Sequence, residues 1–158
     1  MMKRSFLLIL LCLLACLVRA EMKPNFIDYM LAEERYEQVV RLTTAQLERH
    51  PKDGRLYTQR ATAYLQQDEL QAAVDDLSRA IRYRKTADKS LADLYRMRGV
   101  LYELLENPKA ALRDYSRLIK LTPHQPEGYQ LRGELYAEMG QADKARRDLE
   151  KAQQLQEQ

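Results

Sequence analysis

Tyr57-Thr58-Gln59-Arg60-Ala61-Thr62-Ala63-Tyr64 returns in altered wording twice more. It reappears as Tyr95-Arg96-Met97-Arg98-Gly99-Val100-Leu101-Tyr102 and as Tyr129-Gln130-Leu131-Arg132-Gly133-Glu134-Leu135-Tyr136. Each octet is bounded by tyrosines and has arginine followed by a small residue at its centre. Within it the first tyrosine, the small residue and the second tyrosine follow i, i+4, i+7 spacing, which puts all three on one face of a helix. Further along each copy come Asp76-Leu77, Asp114-Tyr115 and Asp148-Leu149. Self-similarity at a period near 34 residues marks a stack of helical supersecondary units. A lone helix hairpin leaves a face uncovered, so roughly three or more must stack to bury a core. The expected fold is all-α, an antiparallel helix-hairpin solenoid.

Pro51 and Pro123 set the frame. Placing them at the same repeat position gives units 54–87, 92–125 and 126–158, preceded by a degenerate unit over 21–53. Asp88-Lys89-Ser90-Leu91 is an insertion between the second and third units. One frame position is small throughout (Ala61, Gly99, Gly133), and so is a second (Ala73, Ala111, Ala145). Small residues there let two antiparallel helices approach closely, with the aromatics filling the space on either side. The final helix is polar, ending in Gln153, Gln154, Gln156, Glu157 and Gln158, so it can end the stack without a separate capping helix.

This pattern of bulky aromatic, Gly, Tyr, Ala and closing Pro resembles the tetratricopeptide repeat superfamily. Tyrosine stands where the family usually has Trp, and Lys85 replaces the closing Pro of the second unit. The resemblance implies a scaffold that binds protein partners, with the first helix of each unit lining a concave groove. Carried onto this chain, the family's contact positions are Thr58, Gln59, Thr62 and Gln66, then Arg96, Met97, Val100 and Glu103, then Gln130, Glu134 and Glu138. Relatives that grip acidic chaperone tails use Lys and Asn at two of these positions. Here those positions hold Thr58, Arg96 or Gln130, and Thr62, Val100 or Glu134, so that clamp is absent. The acid-rich end near Glu134 and Glu138 favours a basic or neutral segment.

Arg60–Asp76, Arg98–Asp114 and Arg132–Asp148 are each 16 residues apart. The midpoints, residues 68, 106 and 140, fall where the inter-helix turns are expected. Residues equidistant from such a turn stand at equal height, so each arginine should face its own aspartate. The degenerate unit has Phe26 and Leu42 at the matching places and so lacks both charges together. These six residues are read as structural pairs.

The 158 residues carry 26 Lys+Arg against 23 Asp+Glu. The excess is Lys3, Arg4 and Arg19, because no acid precedes Glu21. From Glu21 onward charge balances, which gives no global pull toward nucleic acid or anionic lipid. Arg79, Arg82, Arg84 and Lys85 form a local basic cluster, read as a solvated helix end.

Residues 1–20 read as an export signal, with Lys3 and Arg4 before the apolar run Phe6 to Val18 and small or modest residues at Val18-Arg19-Ala20. Both cysteines, Cys12 and Cys16, lie in it. Leu13-Leu14-Ala15-Cys16 also resembles a bacterial lipobox. The chain is therefore expected to be exported, periplasmic or secreted after cleavage at Ala20, or else anchored as a lipoprotein through Cys16. Membrane contact is expected only through that signal or lipid.

No constellation suggests catalysis. His50 and His124 each adjoin a proline, without metal-ligand spacing. Ser78 and Ser116 occupy the same repeat position, which points to packing or solvent rather than a nucleophile; Ser90 is the third serine of the mature chain. The expectation is a non-enzyme with no cofactor and no metal, binding a peptide or helix of a protein partner. A self-assembling homo-oligomer and a regulatory subunit of an envelope enzyme are the alternatives.

Overall fold

A computed structural model describes residues 25–84 and 90–157. Within them lie eight α-helices and no strand. These are α1 (Asn25–Ala32), α2 (Tyr36–Arg49), α3 (Gly54–Gln66), α4 (Leu70–Tyr83), α5 (Ser90–Leu104), α6 (Pro108–Leu121), α7 (Glu127–Glu138) and α8 (Ala142–Gln156). The expected export signal, with Cys12 and Cys16, lies outside the described residues, as do Lys85, Asp88 and Lys89. Ser90 and Leu91 of the expected insertion belong to α5, where Leu91 is buried.

The helices pair as hairpins, α1 with α2, α3 with α4, α5 with α6 and α7 with α8, and each hairpin packs on the next. One turn closes all four. Glu34, Asp68, Glu106 and Gly140 have φ of 57°, 60°, 53° and 72°. The next residue then donates its amide five residues back. Arg35 bonds Met30 O, Glu69 bonds Tyr64 O, Asn107 bonds Tyr102 O and Gln141 bonds Tyr136 O. This left-handed residue with its long backward bond satisfies the carbonyls that end each first helix. In three hairpins the acceptor is the second tyrosine of the octet. In those same three, the left-handed residue is the midpoint between Arg and Asp. Asn107 additionally accepts from the Ala110 amide at 3.2 Å and precedes Pro108, so α6 starts with both a side-chain cap and a preset φ.

The small residues do what their spacing implied. A Cβ added at Gly99 would lie 2.6 Å from Cε1 of Tyr115, and one at Gly133 would lie 2.9 Å from Cγ of Leu149. Tyr115 is wholly buried because Gly99 leaves room for its ring. Two apolar clusters result. The larger runs through α1–α5 and includes Val39, Leu56, Leu77 and Leu94. The smaller centres on Ala111, Tyr115 and Leu135. Tyr102 packs against both and makes the apolar seam continuous. Each fully buried Leu or Val contributes roughly 1.5–3 kcal/mol.

Candidate functional site

The three arginines are built into nodes. Arg60 donates Nε to Asp76 Oδ2 at 2.6 Å and a terminal nitrogen to Oδ1 at 2.9 Å. Arg98 does the same to Asp114 at 2.7 and 2.8 Å, and Arg132 to Asp148 at 2.7 and 2.9 Å. Each pair joins the two helices of a single hairpin. The aspartates are buried, and the fork-to-fork geometry matches the planar guanidinium to the carboxylate.

The remaining nitrogen reaches outside the hairpin. Arg60 donates to Thr44 Oγ1 at 2.8 Å, Arg98 to Ser78 Oγ at 2.9 Å and Arg132 to Ser116 Oγ at 3.0 Å. Each hydroxyl belongs to the second helix of the preceding unit. Ser78 and Ser116 also donate to the carbonyls of Val74 and Leu112, so both are used as donor and acceptor. The nodes therefore stitch the hairpins together as well as closing each one. Sequence reasoning did not find this role, although the shared repeat position of Ser78 and Ser116 was its signal.

Paired tyrosines flank two of these arginines. The Arg60 guanidinium lies 5.7 and 5.9 Å from the Tyr57 and Tyr64 ring centres, and that of Arg98 lies 5.7 Å from both Tyr95 and Tyr102. The hydrogen bonds to Asp76 and Asp148 raise the pKa of Arg60 and Arg132 against the opposing effect of burial. At Arg98 burial is the largest influence and lowers the pKa, but Asp114 outweighs it and the net shift is upward.

The expected groove residues divide into three groups. Several are spent on the scaffold. Thr58 and Thr62 turn their hydroxyls onto their own helix, toward Gly54 O and Thr58 O. Met97, expected in the groove, packs half-buried against the larger core cluster. Others link neighbouring first helices. Gln59 donates to Asp28 of α1 at 2.8 Å, and Arg96 pairs with Glu127 of α7 at 3.4 Å and Asp93 at 3.8 Å. A third group is open. Gln66, Val100, Gln130, Glu134 and Glu138 are exposed, with Gln130 donating to Glu134 at 3.0 Å. Glu103 is half-buried and accepts from the Tyr115 hydroxyl. Burial raises the Glu103 pKa above the ordinary glutamate value. The Tyr115 bond opposes that shift, and Glu138 and Glu134 add to it. Burial, followed by the bond to Glu103, pushes the Tyr115 phenol well upward.

Among the described residues no three His, Cys, Asp or Glu side chains are placed to hold a metal ion, and no helix is long and apolar enough to cross a membrane. What the molecule presents is a stack of stitched helix hairpins with an open face along its first helices.

That arrangement defines a helical repeat scaffold. The tetratricopeptide repeat model matches residues 54–86 and 126–158, two of the four hairpins, and the chain has the fold of tetratricopeptide repeat proteins. Over 104 residues, 66% of the chain, it is 32% identical to human serine/threonine-protein phosphatase 5 and 31% identical to the rat protein. That stretch is 20% of the phosphatase's length. Among solved structures it is similar to MamA (24% identical, TM-score 0.71), over 90% of this chain and 84% of that one. It is also similar to YrrB, described as a TPR protein with an unusual peptide-binding site (22% identical, TM-score 0.72, 83% of this chain and 66% of that). The first TPR of Spaghetti (RPAP3), bound to the HSP90 peptide SRMEEVD, aligns over 72% of this chain and 87% of its own, at 21% identity and TM-score 0.63. These likenesses establish the fold.

Proposed function

We propose that this protein is an adaptor that captures a helix or extended segment of a partner protein along its first helices, and that it works in the cell envelope after export. The observation that carries the groove reading is a division of labour among residues. Those that repeat (Tyr, Arg, the small residue, Asp and the Ser or Thr link) are absorbed into the scaffold. Those that do not repeat, notably Val100, Glu134 and Glu138, stand exposed on α5 and α7. Peptide binding by YrrB and by the RPAP3 repeat supports the reading by analogy of fold. Helix-in-groove or extended-peptide capture is the recognition mode that such a surface suits.

Crosslinking capture from envelope fractions tests it, with crosslinked sites mapped onto this chain. Arg96→Glu and Glu134→Lys should each change the partner set, and sites should fall on α3, α5 and α7. An unchanged partner set with both variants removes the groove. Export rests on residues 1–20, and mass spectrometry of the mature N-terminus checks it. A start at Glu21 supports cleavage after Ala20, a diacylglyceryl adduct on Cys16 supports the lipoprotein form, and an intact Met1 in the envelope-free fraction overturns both.

A further inference from the structure

Between α5 and α7 the groove combines an apolar strip with carboxylates that have no cation of their own among the described residues. Val100 and Leu104 are one helical turn apart on α5 and are 38% and 59% exposed, so they form a small contiguous apolar strip. Beside them Glu103, Glu106, Pro108, Leu135, Glu138 and Met139 line a cavity of about 330 Å³. Glu103 feels the charges of both Glu134 and Glu138, which places the three carboxylates in one electrostatic neighbourhood across two helices. Among the described residues none of the three is in an ion pair; Glu103 accepts from the Tyr115 hydroxyl and Glu134 from the Gln130 amide. Nearby acids differ, since Asp93 and Glu127 both lie within ion-pair distance of Arg96.

The other side of the same hairpin has the opposite sign. Helix α6 carries Lys109, Arg113, Arg117 and Lys120, all exposed, while its one acid, Asp114, is buried against Arg98. A cationic ligand is thus repelled from α6 and attracted to the groove between α5 and α7.

We propose that this section of the groove takes a basic amphipathic segment of a partner protein, with apolar side chains on the Val100–Leu104 strip and Lys or Arg side chains on Glu103, Glu134 and Glu138. The inference rests on the groove reading above and adds its chemical class. The ligand supplies the missing cations, relieves the mutual repulsion of the three carboxylates and covers the exposed strip. An acidic segment of the same shape would add like charges and bind worse, so the site selects by repulsion as well as attraction.

Fluorescence anisotropy with three labelled peptides tests this: an amphipathic Leu/Lys helix, the same peptide with every Lys as Glu, and the Leu/Lys peptide with every Leu as Ser. The Leu/Lys peptide should bind and weaken as salt is raised from low to physiological strength. The Glu and Ser forms should each lose about tenfold or more, equivalent to about 1.4 kcal/mol. Glu134→Lys with Glu138→Lys should cost the Leu/Lys peptide at least as much. Glu37→Lys with Glu48→Lys, a same-charge change on α2, should leave it unaltered. Equal binding of the Glu peptide that Leu104→Ser abolishes would refute the charge class and leave the groove standing. Leu/Lys binding that none of the groove variants alters, or no binding by any peptide, would refute the site itself.

Discussion

Replacing Arg98 by Met should expose how much the nodes hold. Asp114 is 4% exposed and loses two charge-assisted bonds of 2.7 and 2.8 Å. Stranding a buried charge in this way typically costs about 3–5 kcal/mol. The carboxylate has an escape, since it can take up a proton. From an ordinary Asp value near 3.9, holding that proton at pH 7 costs about 4 kcal/mol, which caps the penalty. The loss of the Ser78 bond adds roughly 1 kcal/mol. A net loss of about 3–4 kcal/mol is expected at pH 7, a large share of the ~5–15 kcal/mol that small domains possess. Urea unfolding followed by far-UV circular dichroism at pH 7 reads the loss. The double variant Arg98→Met/Asp114→Leu should recover most of the loss, giving a coupling energy of about 2 kcal/mol or more. Additive single effects would show that the pair does not hold the hairpin.

Two further outcomes follow from the backbone and the packing. Glu106→Gly should stabilise by about 0.5–1 kcal/mol, because a residue with a Cβ is strained at φ 53°, whereas Gly140→Ala should destabilise by about 1 kcal/mol although its surroundings are open; thermal unfolding reads both. Gly99→Ala should cost about 1–2 kcal/mol despite alanine's better helix propensity, since its methyl meets the buried Tyr115 ring, and Tyr115→Leu in the same chain should restore part of the loss on denaturant titration.

Much of the architecture could be read from particular residues. The octet spacing located α3, α5 and α7, and the midpoint of each Arg–Asp interval landed on the left-handed residue of the turn. Those features are local, set by helical period and by hairpin symmetry within about 34 residues. The site was less legible. The groove positions came from a family frame that treats every unit alike, yet Thr58 and Thr62 serve their own helix, Met97 serves the core, and Arg96 is occupied by Glu127. Their neighbours in space come from adjoining units, which a single-unit frame does not specify.

The chain's own periodicity was therefore enough to define hairpins, their turns and the charge pair inside three of them. Tertiary structure decided what passes between hairpins: the third bond of each arginine to Thr44, Ser78 or Ser116, the seating of Arg60 and Arg98 each between two tyrosine rings, and the gathering of Glu103, Glu134 and Glu138 beside an open apolar strip. The physical reason is range. Helical period constrains side chains a few residues apart. How one hairpin lies on the next depends on how well their buried surfaces interlock, and that is a property of shape and volume summed over many side chains.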